Sequence, residues 1–465
     1  MTPPAVTIDP SRAWAPYVPD TAAPWDLARV AHLHRRAGFA APWAVLQRDQ
    51  RDGPEASVGR LLDGEPTGAD GKPASAFESL ADEMARQLAP SASLTGLQGI
   101  WLYRMISTGH PLRERMTLFW HNHFATSQAK VNNAGLMQRQ NNLFRAHALG
   151  DFKSLLEAVG KDPAMLIWLD STANRKSHPN ENYAREVMEL FTLGRGRYTE
   201  RDIQEAARAF TGRFVVRDRF QQVPAQHDGG TKTVLGRTGA FEGDDIPGIL
   251  LGRTDCAEFL CGKLFRHFLS EVDPPETGLI APLAKAFRDS GYDVRVPVGT
   301  ILLSNLFHDP RSRRRRVKSP VEFAVGTVRA LEIFRPTVQA DALAESCTRM
   351  GQGLYAPPSV AGWDGGPSWA NSTTMLARIN LVLSLLTAED PALGKRLNPA
   401  ALASRHGFDD AAGVAQFYSG LLVQDAFGRK VGASVEAAAR KATDPAASAR
   451  EAATLVLTSP EYQLA

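Results

Sequence analysis

Cysteine is scarce. The 465 residues include three, Cys256, Cys261 and Cys347, and three cannot pair completely. None sits in a CxxC, so a disulfide framework and a thiol-type zinc site are both disfavoured. The Cys256–Cys261 spacing on a helical pattern suits small buried residues. Charge of one sign is lacking too. With 53 basic and 50 acidic residues the net charge is +3, which gives no general reason to expect nucleic acid or an anionic membrane. No run approaches the roughly 18 apolar residues of a membrane span. Met1–Trp25 has no basic start followed by an apolar run, so the chain as written reads as cytoplasmic. An exported protein whose leader had been removed would read the same. There is no Gly-rich phosphate loop, no nucleophile elbow and no HExxH, which disfavours nucleotide hydrolysis, α/β-hydrolase chemistry and the zincin mechanism.

What is present is helical periodicity. The chain is 43% hydrophobic and 22% charged, ordinary for a globular protein able to bury a large core. The pattern predicts a mainly α fold, one large multi-helix domain over residues 25–465, preceded by an irregular arm at residues 1–24. Gly53–Ala76 is rich in Gly, Pro and Asp and reads as a loop. Phe214-Val215-Val216, Gly229-Gly230 and Thr231–Leu235 signal a small β-hairpin insertion within 213–241. A long Gly/Pro/Trp loop covers 351–371.

Two helices carry polar residues on the wrong face. Taking Tyr183–Leu193 as one helix at about 100° per residue, Tyr183, Ala184, Val187, Leu190, Phe191 and Leu193 form an apolar sector, with Glu186 inside it and Glu189 at its edge. Asn182, Glu186 and Glu189 then make a polar stripe on a dry face. A buried carboxylate needs a cation, a metal or a proton. Arg185 or Arg208 could supply the first. The second helix, Arg113–Phe124, has the stripe Met116, Phe119, Trp120 and Phe124, with His123 on it and His121 pointing elsewhere. A carbonyl-bonded core histidine is one reading of His123. The other is a ligand set of His121, His123, Glu186 and Glu189 for a divalent metal such as zinc, manganese or iron. Ahead of Glu186, the loop from Asp170 to Asn182 gathers Asn174, Lys176, His178, Asn180, Glu181 and Asn182. Helix capping accounts for one of the asparagines, and substrate contact by Asn174, Asn180, Glu181, Asn182 and Arg185 is the wider expectation. His178–Gly212 is thus the expected functional centre.

These residues also carry a resemblance. Phe119-Trp120-His121-Asn122-His123-Phe124, Asp162-Pro163-Ala164-Met165-Leu166 and Pro179–Glu186 with Met188-Glu189-Leu190 resemble motifs of a bacterial family called domain of unknown function 1800. So do Ala207–Gly212, Lys318-Ser319-Pro320-Val321-Glu322, Gly351-Gln352, Gly362-Trp363 and Trp369-Ala370-Asn371. The likeness runs from about Leu33 to Leu386. It implies a fold family and a site, not a reaction. It further implies secreted relatives, often encoded beside a sulfatase-like partner protein. Relatives often carry His where Phe191 stands, a departure that removes one possible metal ligand.

The basic run Arg311–Arg316 with Lys318 reads as a solvated loop or helix end, with a phosphate or acidic-polymer contact as the alternative. Without interleaved aromatics it does not suggest nucleic acid. Trp363 and Trp369 either anchor their loop or stack on sugar rings. His267 and His308 read as structural. The leading expectation is a hydrolytic enzyme with a carboxylate–histidine site, Glu186, Glu189 and His123 being catalytic, acting on a polar substrate such as a glycan or peptide. The alternatives are a binding or assembly protein whose polar cluster is structural, and a metal-dependent redox enzyme.

Overall fold

The computed structural model describes residues 9–68, 71, 73–91, 93–272, 275–334, 338–387, 391–393, 397–424, 433, 435–438 and 444–465. It is predominantly helical, with two small antiparallel hairpins. Among the described residues, no helix is long and apolar enough to cross a membrane. All three cysteines are buried and free.

The apolar interior forms two clusters. One collects Leu112, Met116, Phe119 and Trp120 with Leu260, Leu264, Phe265 and Phe268. The other collects Leu118 with Val321, Phe323, Val325 and Val328. The helix Pro111–His123 therefore touches both. Pro111 at its first position starts it without losing a hydrogen bond, and nearly every side chain along it is buried, including Glu114 and Arg115. Burial of that carboxylate is tolerated because Arg145 Nε and Nη2 and Trp101 Nε1 all donate to it. The helix Pro320–Ala330 is buried along its whole length. Ser319 Oγ accepts the Glu322 N–H and Glu322 accepts the Ser319 N–H, so a capping box fixes its first turn.

Four sequence expectations change. The stretch read as an irregular arm contains, in its described part, the helix Pro10–Trp14; Trp14 Nε1 donates to the Leu279 carbonyl at 2.7 Å. Gly53–Ala76 is not simply loop: Pro54–Asp63 is helical, with Pro54 opening the helix and Val58 and Leu61 buried, while residues 69, 70 and 72 lie outside the described set. The β insertion is two hairpins, β1 (Arg213–Val216) with β2 (Arg219–Gln222) and β3 (Lys232–Val234) with β4 (Arg237–Gly239). The first turns on Arg217 and Asp218, both at positive φ, without the Asn-Gly or Asp-Gly pair that signals such a turn. Gly229-Gly230 is not the turn between strands.

The fourth change bears on the site. Tyr183–Leu193 is not one α-helix. Asn182–Glu186 is α-helical and Val187–Thr192 is a π-helix. The wider turn changes the angular phase, so a uniform 100° step misplaces side chains along this stretch. Leu190 is only half-buried, and Glu186 lies partly exposed instead of on a dry face.

Candidate functional site

The expected centre at 178–212 resolves into a capped loop and an ion-pair network. Buried Asn174 donates to the Ala207 carbonyl and accepts the Asn180 N–H. Asn180 Oδ1 accepts the Asn182 N–H. Arg185 pairs with Glu181 at 3.1 Å and Glu200 at 2.7 Å. Glu189 accepts from Arg195 and from the Tyr198 hydroxyl, each at 2.7 Å, and the bonds from Tyr198 and Arg195 lower its pKa. Arg208 pairs with Glu205 and Asp228. Neither Arg185 nor Arg208 pairs with Glu186. Burial, then the Glu189 charge, raises the Glu186 pKa.

The two histidines of the second helix diverge. His121 is fully buried among Trp101, Tyr355 and Trp363. Its Nε2 accepts the Tyr355 N–H at 3.0 Å, and burial depresses its pKa to about 3. It fastens the 351–371 loop. His123 Nε2 meets the Phe191 carbonyl at 3.1 Å and Nδ1 meets Lys263 Nζ at 3.0 Å. His121, His123, Glu186 and Glu189 are not brought together as a ligand set, and among the described residues no group of three or more His, Cys, Asp and Glu could hold a metal ion.

His123 instead opens onto a solvent-connected cavity of about 420 Å³ at the seam between the two apolar clusters. The helix Pro111–His123 contributes Arg115, Phe119, Asn122 and His123. The helix Thr254–Phe268 contributes Lys263, Arg266 and His267. Glu271, Arg316 and Glu322 form a third side, and Trp363, Asp364 and Trp369 the fourth. Both tryptophans are buried, and both line the cavity.

The π-helix shapes one end. The last carbonyls of a helix have no partner within it. Here the Gly194 N–H turns back to Met188, and the Leu190 and Phe191 carbonyls face Lys263 Nζ, at 3.0 Å, and His123 Nε2. The Phe191 carbonyl only accepts, so His123 carries its hydrogen on Nε2 and offers the Nδ1 lone pair to Lys263. Two hydrogens of Nζ are thereby committed, to His123 and to Leu190. The remaining tetrahedral position holds a proton in the ammonium and a lone pair in the amine. Burial, then the nearby Arg266, brings the Lys263 pKa down to about 7, and burial followed by Lys263 keeps His123 neutral.

The opposite end is ionic. Fully buried Arg115 pairs with Glu322, which also accepts from Arg316 at 3.1 Å. Arg316 reaches Glu271 at 2.9 Å. The basic run is solvated only in part: Arg311 and Arg315 are exposed, whereas Arg316 is interior and buried Lys318 Nζ lies 3.3 Å from the Tyr462 ring centroid. His267, expected as structural, lines the cavity, its Nε2 without a hydrogen bond among the described residues. His308 does satisfy a core bond, to the Leu302 carbonyl. Sequence reasoning missed Arg115, Lys263 and Glu271, read His267 as structural, and met Arg316 only as part of the basic run. Of the ionic end, Glu322 lay within a quoted motif.

The loop wall depends on a glycine. Gly362 has φ +82°, and a Cβ there would overlap Asn122 Oδ1 and its carbonyl, where Asn122 accepts the Trp363 N–H at 2.7 Å. Gly362→Ala is expected to cost about 1–3 kcal/mol and to shift the tryptophan emission. Denaturant titration followed by fluorescence checks both.

Residues 32–464 match the family model described as "Protein of unknown function (DUF1800)". The chain belongs to this family. No curated protein and no solved structure matches it. Several of the motifs that carry the family resemblance meet here from distant parts of the chain: Asn122 and His123, Ser319 and Glu322, Gln352, Trp363 and Trp369 line this cavity, whereas Pro179–Glu186 and Glu189 do not.

Proposed function

We propose that the protein is a hydrolytic enzyme working in the Lys263–His123 cavity on a polar substrate. The observation that carries this reading is the oriented Nζ of Lys263, held by His123 and the Leu190 carbonyl at the cavity wall. An amine that titrates near neutrality is suited to proton transfer. As the free base it takes a proton from water, whose oxygen then bonds to the electrophilic atom of the substrate. As the ammonium it returns that proton to the departing oxygen or nitrogen. Arg115 and Arg316 lie where negative charge on the substrate can be met. His123, with both ring nitrogens bonded, acts by holding Nζ in place. Glu186 and Glu189 have no part in this scheme.

The test is a panel of 4-nitrophenyl esters and glycosides, including the glucuronide, run against wild type, Lys263→Met and Glu186→Gln. Turnover by wild type and by Glu186→Gln, lost in Lys263→Met, is the expected result. Turnover undiminished in Lys263→Met, or lost in Glu186→Gln with the fold intact, overturns the assignment. A cavity that binds ligand and turns over none of the panel points to a binding protein.

A further inference from the structure

Three guanidinium groups, Arg36, Arg115 and Arg316, crowd into one interior region with two carboxylates, Glu271 and Glu322. Arg36 and Arg115 are fully buried. Arg36 Nη2 reaches the carbonyls of Leu269 and Ser312, at 2.8 and 3.1 Å, while its Nε and Nη1 have no hydrogen bond among the described residues. Arg115 pairs with Glu322, and its Nε and Nη1 are likewise without a hydrogen bond among the described residues. A dry guanidinium in excess over its counter-charges is expensive unless something anionic completes it. Arg115 lines the cavity, so that partner can come from solvent. Exposed Arg266 adds a further positive charge at the same cavity.

Two other groups narrow the chemistry. Glu271 Oε2 and His267 Nε2 are also buried and unpartnered among the described residues, and Glu271 and His267 line the same cavity. A carboxylate oxygen accepts from hydroxyls and repels anions. The combination calls for a ligand with an oxyanion at one place and hydroxyls at another. The wall between them carries two tryptophans, Trp363 and Trp369, whose faces suit the C–H face of a sugar ring.

We infer that the cavity takes an acidic sugar, its oxyanion against Arg115 and its ring between the tryptophans and Glu271. This rests on the reading of the cavity as the substrate site and names its substrate class. The oxyanion can be a carboxylate, as in a uronic acid, or a sulfate ester. Charge-assisted bonds to a desolvated guanidinium are the stronger kind, so discrimination against the neutral sugar should reach roughly tenfold or more.

The experiment is calorimetric titration of the intact protein at low ionic strength with glucuronate, glucose 6-sulfate, glucose and sodium chloride. Glucuronate or the sulfated sugar is expected to bind at least roughly tenfold more tightly than glucose, and whichever acid binds better identifies the oxyanion. In Arg115→Met this preference should vanish. Glu322 keeps Arg316 there, but should that variant not fold, Arg266→Gln, at an exposed position, is expected to weaken acid binding several-fold and leave glucose binding unchanged. The inference is overturned if both acids bind no better than glucose or chloride, or if the folded variants keep the full preference. Binding needs no turnover, so the outcomes separate. An acid-sugar preference without catalysis sinks the enzyme reading alone, and turnover of neutral substrates only sinks this inference alone.

Discussion

Replacing Glu322 by Gln should lower the unfolding free energy by about 3–5 kcal/mol, the largest stability loss we expect from a single isosteric change in this protein. The carboxylate accepts from Arg115, from Arg316 and from the Ser319 N–H that opens its own helix. Its removal leaves two guanidiniums facing an uncharged amide in a dry interior. The sign with pH comes from the same contacts. Although burial alone would raise the Glu322 pKa, Arg115 and then Arg316 outweigh it and hold the carboxyl well below its ordinary value of 4.5. A depressed folded value means the stabilisation is fully present above about 4.5 and disappears only as pH falls through the lowered value. Wild type and Glu322→Gln should therefore differ most at neutral pH and converge in strong acid. Chemical denaturation at several pH values measures this. The double variant Arg115→Met/Glu322→Met should recover part of the loss; a Glu322→Gln protein as stable as wild type would mean the ionic cluster is not the keystone of this seam.

Lys263→Met should reduce turnover by about 10²–10⁴-fold, the range of a general acid–base group, on whichever panel substrate wild type accepts. The free amine dominates above about 7 and the ammonium below. If deprotonation of water limits the rate, activity rises with pH through about 7, and that limb should be absent from the residual activity of the variant. Steady-state rates between pH 5 and 9 show it. The methionine keeps most of the aliphatic stem against Phe259, whose ring lies 4.8 Å from Nζ, so the fold should stand.

Much of the helical architecture is legible in the sequence, because period and capping residues act locally. The helix expected at Arg113–Phe124 stands at Pro111–His123. The site is less legible, for two physical reasons. The first is the π-helix at Val187–Thr192. Nothing in Val-Met-Glu-Leu-Phe-Thr announces a five-residue turn, so the assumed phase put Glu186 on the dry face and gave it a role that its partly exposed position does not require. π-turns are frequent at functional sites, and this one matters through its backbone: the Leu190 and Phe191 carbonyls seat Lys263 and His123. The second is distance along the chain. Arg115 on one helix meets Glu322 on another, and Arg316 looks like part of a solvated basic run until Glu271 folds beside it. Single-residue pattern reading has no access to such pairings. His123, Trp363 and Trp369 were visible because bulky or titratable residues stand out in a local motif. Lys263 did not stand out, being one lysine on an otherwise ordinary helix.

At the centre of the proposed mechanism is an amine in the cavity wall, poised for proton transfer. Protein carrying ¹³C-labelled lysine side chains, titrated by NMR and compared with Lys263→Arg to assign the signal, tests it most directly. The signal missing from the variant should titrate near 7 in wild type. If it titrates near the ordinary lysine value of 10.5 instead, the mechanism is contradicted.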